Sequence, residues 1–171
     1  MEHVYNGKTL CDLQNAKEKF IVLNENDWKL DVESKPKLRT YVKFKRNLLL
    51  EDYITHYTSK RCRSLVAQFR LGILPIHIET GRFTKTPLNE RICKICDLNE
   101  IEDEYHFLLS CPKYITPRET LYNSSRKLIP NIKELNTQEK FINIVQLCPK
   151  YLANYLVTSL EIRNSILYVS K

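Results

Sequence analysis

The stretch Arg91–Pro112, RICKICDLNEIEDEYHFLLSCP, decides the reading of this chain. It places Cys93 and Cys96 with two residues between them, His106 after a nine-residue gap and Cys111 after a further gap of four. Zinc takes four tetrahedral sulfur and nitrogen ligands, and structural sites use combinations such as Cys3His. A CxxC turn brings two thiolates to one metal without strain, and the second pair has to return from the other side. Glu102, Asp103 and Glu104 make an acidic first turn, which suits a helix N-terminus. Tyr105 to Ser110 is apolar enough to pack, and Pro112 disfavours helix at Cys111. The spacing therefore predicts a knuckle over 91–113 with Zn2+ held by Cys93, Cys96, His106 and Cys111. With four protein ligands the site is closed and structural, because a catalytic zinc keeps one position for water.

Composition sets the frame around this knuckle. The chain has 171 residues, enough for one domain, and 43% of them are apolar, enough for a core. Three glycines argue against a turn-rich β-sandwich. Cys11, Cys62 and Cys148 lie outside the motif, scattered as buried thiols would be rather than as a disulfide framework. That use of cysteine points to a reducing, intracellular compartment, nuclear or cytoplasmic. No secretory leader stands in MEHVYNGKTLCDL, and no run of about 18 uncharged apolar residues is present to cross a membrane.

The net charge of +7 is unevenly spread. From Lys35 to Arg70 there are ten basic residues against Glu51 and Asp52, with Tyr41, Phe44, Tyr53, Tyr57 and Phe69 interleaved. Cations for phosphates and rings for bases are the footprint of a nucleic-acid surface. Lys43, Lys45, Arg46, Arg61, Arg63 and Arg70 are the candidates for phosphate contact. The same pattern also fits a solvated helix face or a surface for an acidic protein. The knuckle loop has the opposite sign, with five acids between Cys96 and His106. The knuckle is thus expected to pin the fold while basic helices meet the ligand.

The remainder reads as mainly helical. Residues 1–34 are the least committed segment, with Asn15 to Leu23 a short helix or strand and Trp28 an anchor to the core. Ser34-Lys35-Pro36 signals a helix start, with a broken apolar stripe running to about Leu50. Ser59 is an N-cap candidate, and Cys62, Leu65, Val66 and Phe69 have the spacing of a buried helical face. On that helix Arg63 and Arg70 share a neighbouring face, left open to a partner, and Gly72 is placed to end it. LPIHIETGRF alternates and turns, which puts His77 at a turn or on the surface. A helix is expected over 117–127 and another from a capping box at Asn136 and Glu139 to Cys148. A last one runs from Tyr151 to Val169. The fold class expected is a small helical domain, 35–171, with an embedded Cys3His knuckle.

The runs RSLVAQFRLGILPIHIETGRF, RICKIC and EDEYHFLLSCPKY together resemble the C-terminal tail of non-LTR retrotransposon reverse transcriptases, over about Lys37 to Tyr114. The resemblance implies a noncatalytic zinc-knuckle module that helps such an enzyme bind template RNA or target DNA. It carries the ligand role onto Cys93, Cys96, His106 and Cys111. The paired-aspartate motif of the polymerase is absent from this sequence, so reverse transcription does not carry over. An excised fragment, a decayed copy and a domesticated host protein all fit that departure. A zinc-stabilised protein-interaction module is the alternative reading.

Overall fold

The computed structural model describes residues 10–45, 47–56 and 59–168. They form a mainly helical fold, and among them the β pairing is confined to an isolated bridge between Ile92 and Ile101. No helix among them is long and apolar enough to cross a membrane.

Helix α1, Leu10–Glu33, occupies the segment whose sequence is least committed. It contains neither glycine nor proline, so nothing interrupts it. Near its C-terminus Val32 is buried, and the Trp28 ring meets the edge of Tyr41 at 6.4 Å.

The helix expected over 35–50 does not form. Two 3-10 turns, Pro36–Leu38 and Tyr41–Lys43, stand there instead. Lys35 is extended, as a residue before proline tends to be. The strand of chain that follows is drawn onto the knuckle. Arg39 reaches Glu104, and Thr40 and Phe44 are buried, while Leu48, Leu49 and Leu50 stay exposed. A continuous helix would not allow that set of contacts. A short helix α2 follows at Asp52–His56.

Helix α3, Lys60–Leu71, begins where the sequence places it. The Ser59 hydroxyl accepts from the backbone N–H of Cys62 at 3.4 Å, and Gly72 closes the helix in the left-handed conformation at φ 68°. Val66 and Phe69 are fully buried. After it, His77–Thr80 winds into one helical turn, α4, rather than alternating. His77 is buried, contrary to the expectation of a surface or turn residue. Ile76 and Ile78 on either side are drawn into the core, and the His77 Nδ1 lies 2.7 Å from the Ile92 carbonyl oxygen.

Three helices complete the fold, α5 at Ile115–Ser125, α6 at Thr137–Leu147 and α7 at Pro149–Tyr168. The expected capping box starts α6, with Asn136 Oδ1 accepting from Glu139 N at 2.9 Å and the Glu139 carboxylate accepting from Asn136 N at 3.4 Å. Helix α7 is the hub, packing against α3, α5 and α6. Between them lie Phe69, Phe107, Tyr114, Phe141 and Tyr155, with Tyr105 stacked on Phe141 at 3.9 Å. Each fully buried aromatic of this kind contributes on the order of 2 kcal/mol of transfer free energy. The knuckle is embedded in the same core, because Cys93, Cys96, Phe107, Leu108 and Cys111 all belong to it.

Candidate metal centre

The knuckle is built by two local devices. The first is a hairpin. Cys93 N donates to Glu100 O at 2.8 Å, and Glu102 N donates to Arg91 O at 2.9 Å. Asn99 turns the chain at φ 55°, a conformation asparagine tolerates better than most residues. The hairpin presents Cys93 and Cys96 from its tip.

The second device is a widened helical turn. Asp103 opens it, its Oδ1 accepting from His106 N at 2.8 Å and its carbonyl from Phe107 N at 2.9 Å. His106–Ser110 is then wound as a π-helix, with Cys111 N donating to His106 O at 2.8 Å, five residues back. The reason lies in the spacing. At 3.6 residues per turn, side chains five apart point about 140° away from each other. Widening the turn brings His106 and Cys111 to one side, where the hairpin thiols meet them.

The ligand atoms of Cys93, Cys96, His106 and Cys111 all lie within 4.8 Å of one another, and all four residues are buried. Cys96 Sγ and His106 Nε2 are 3.4 Å apart. Ligands at about 2.0–2.3 Å from a tetrahedral ion are separated by roughly 3.3–3.8 Å, so one metal fits among these atoms. Three thiols and an imidazole with no carboxylate suit zinc rather than calcium or magnesium.

The thiols are electrostatically graded. A hydrogen bond from Cys111 is the main cause that draws Cys93 down to about 3, well into the thiolate range. The same bond, with burial, holds Cys111 above its ordinary value, and burial raises Cys96. Burial alone would lower His106, but hydrogen bonds to Cys93 and Glu100 outweigh it and raise the imidazole. A dication bound here would displace the protons that the raised thiols keep.

Outer contacts fix these ligands. Glu100 Oε2 lies 2.8 Å from His106 Nδ1, which leaves Nε2 facing the thiols. Buried Arg118 donates from Nε to Leu108 O at 2.8 Å and from Nη2 to Cys111 O at 2.6 Å, clamping the end of the π turn. Glu102 is completely buried and bidentate with Arg163 of α7, and its Oε2 also accepts from His77 N at 2.6 Å. Glu104 accepts both its Arg39 bonds at 3.0 Å and a third from Thr40. Nothing in the linear sequence marks Arg39, Arg118 or Arg163 for these tasks. Two of the five knuckle acids are therefore internal and paired, so the loop is less repulsive to phosphate than its composition suggests.

The described candidates for phosphate contact do not share one exposed face. Arg46 lies outside the described residues. Arg70 is only 4% exposed. Its guanidinium pairs with Glu51 at 2.8 Å, donates to Val145 O and lies over the Phe44 and Tyr53 rings. Lys45 turns to the same Glu51 at 3.3 Å. These two cations serve the fold: α3 turns Arg70 inward, and Lys45, in the segment ahead of α2, reaches the same carboxylate. Lys43 is exposed, with its ammonium 4.4 Å above the Tyr105 ring, and Arg63 is half-buried. Arg61 stays well exposed beside Glu161.

Comparison with protein families, with curated proteins and with solved structures finds no match for this chain.

Proposed function

We propose that this chain is a noncatalytic nucleic-acid-binding module held together by a structural zinc at Cys93, Cys96, His106 and Cys111. Zinc, when bound, supplies a fixed crosslink between the hairpin tip and the π turn. The resemblance to retroelement reverse transcriptase tails supports an RNA or DNA ligand.

The observation that carries the reading is the way charge is sorted around the knuckle. The acids Glu102 and Glu104 are buried against Arg163 and Arg39. On the outside, Lys37 keeps half of its side chain in solvent, Arg61 keeps 65%, and Lys43 is exposed. Ion pairs at such exposed sites are weak, so these cations can exchange their partners for phosphates. With a net charge of +7, the chain favours polyanions at long range.

Fluorescence anisotropy of the zinc-loaded protein with labelled single-stranded RNA and duplex DNA, over a salt series, tests this. Affinity that falls steeply with salt supports several phosphate contacts. The ratio of the two affinities separates a template role from a target role. Absence of binding at low salt overturns the reading.

One observation favours the alternative, a zinc-stabilised protein-interaction module. Leu13, Phe20, Leu23 and Leu30 recur at heptad-like spacing along α1 and are all exposed. A stripe of that kind is the usual docking face for another helix. Light scattering that shows association, abolished by replacing Phe20 and Leu23 with Ser, would move the weight to that reading.

A further inference from the structure

The most exposed large apolar side chain among the described residues is Phe83, at 81%. It does not hang on a loose loop. Thr86 N donates to Gly81 O at 2.8 Å, closing residues 81–86 into a tight turn. The Thr84 hydroxyl donates to Gly81 O at 3.1 Å and lies 2.7 Å from the Thr86 hydroxyl. Lys85 sits at φ 55°, a strained conformation for lysine that the surrounding bonds hold in place. Arg91 braces the loop from below, donating to Thr86 O at 2.9 Å and Ile78 O at 2.7 Å. Its side chain fills the space beside Gly81, where any Cβ would come within 2.8 Å of it. The backbone is thus fixed in a shape whose outward product is a bare phenyl ring.

Charge gathers around that ring. Arg82 precedes it and Lys85 follows two residues later. The fold adds a third cation from a distant part of the sequence. Arg82 Nη1 lies 3.1 Å from the Glu79 carboxylate, and Lys37 Nζ lies 3.7 Å from the same group. Two cations share one nearly buried carboxylate, and both remain about half exposed. The basic run that begins at Lys35 therefore meets the Phe83 loop in space.

We propose that Phe83 is a stacking platform for an unpaired base of single-stranded nucleic acid, with Lys37, Arg82 and Lys85 taking the flanking phosphates. The inference rests on the nucleic-acid reading above and names its ligand as single-stranded. The chemistry favours that choice. A phenyl ring carries no hydrogen-bonding code, so it recognises a π-face rather than a sequence. In a duplex those faces are already covered by neighbouring base pairs, and an unstacked base is what a protruding ring can reach. Cations on both sides follow the backbone of the strand as the base lies on the ring.

The test uses the whole zinc-loaded chain and labelled oligouridine of about twelve nucleotides, with a duplex of equal length as control. Phe83→Ala removes an exposed side chain, so its melting temperature should match the wild type. The expected result is a loss of single-strand affinity of roughly 5- to 100-fold, with the slope against salt unchanged and duplex affinity little affected. Phe83→Trp should retain affinity, and its added fluorescence should be quenched when the oligonucleotide binds. Unchanged single-strand affinity in Phe83→Ala overturns the proposal. If Lys43→Gln and Arg61→Gln weaken binding while Phe83→Ala does not, the broader nucleic-acid reading stands and the platform falls. If the wild type binds neither probe at low salt, both fall.

Discussion

Arg163, near the end of α7, holds Glu102 of the knuckle through two parallel bonds, Nε to Oε1 at 2.8 Å and Nη2 to Oε2 at 2.9 Å. The carboxylate has no solvent exposure and the arginine only 5%. Burial disfavours the charged guanidinium, but its bonds to Glu102 outweigh that and keep it above its ordinary value. The pair ties the last helix to the loop that carries the cysteine and histidine cluster, 61 residues away. Because Glu102 also accepts from His77 N, one carboxylate joins three parts of the fold.

Breaking that pair from one side leaves a buried charge with no partner. Arg163→Met should cost about 3–5 kcal/mol in urea unfolding. The double variant Arg163→Met, Glu102→Leu should recover much of the loss, since an apolar pair often replaces a buried ion pair without penalty. A loss below about 1 kcal/mol in the single variant would mean that water reaches the pair.

Glu104 is buried too, yet its arginine is not. Burial raises its carboxyl above the ordinary 4.5, and the Arg39 charge offsets this only in part. A carboxyl raised in the folded state binds its proton more tightly there than in the unfolded chain. Ionisation therefore removes stability as pH climbs from about 4.5 through the higher folded value. Glu104→Gln should unfold at the same temperature as the wild type near pH 4 and at a higher one near pH 8. Arg39, with 36% of its side chain exposed, remains solvated when its partner is neutral. An advantage that shrinks as pH rises would contradict this assignment.

Zinc should bind with one equivalent per chain, measurable by elemental analysis of the purified protein. Cys111→Ser removes a fully buried thiol of the cluster from the core. That variant and chelator-treated wild type should both lose the cooperative melt of the knuckle. Full thermal stability in either would argue against a structural role for the metal.

Glu100 stands outside the ligand shell, half exposed, and orients His106 from 2.8 Å. Glu100→Gln should weaken zinc affinity roughly 10- to 100-fold in a competition titration with a chelating dye, with the metal count at saturation unchanged. Glu90→Gln, a change at an exposed acid in the same part of the chain, should leave the affinity where it was.

The cations divide by what they face. Lys43→Gln and Arg61→Gln should each lower nucleic-acid affinity and reduce the salt slope by about one. Arg70→Gln should instead lower stability, because Glu51 loses its closest ion pair, and should leave the salt slope intact. A reduced slope in the Arg70 variant would place that arginine on the binding surface after all.

Several features were legible because they depend on neighbours in sequence. The Ser59 and Gly72 helix ends, the capping box at Asn136 and Glu139 and the buried face of α3 are all satisfied within a few residues of themselves. The meeting of Cys93, Cys96, His106 and Cys111 belongs with them, since a short hairpin and one helical turn suffice to join them. Even there the periodicity suggested an ordinary helix, whereas the five-residue step from His106 to Cys111 is met by a π turn.

Tertiary structure alone decided where the charges went. Arg70 and Lys45 carry the same signature in sequence as Arg61 and Lys43, yet the first pair turns inward to Glu51 and the second stays outside. Glu102 and Glu104 read as an acidic helix start and became buried ties to Arg163 and Arg39. A cap or a metal ligand pair is chosen by local backbone geometry, which a short stretch of residues specifies. The partner of a buried charge is chosen by whichever distant element covers it, and only the packed chain specifies that.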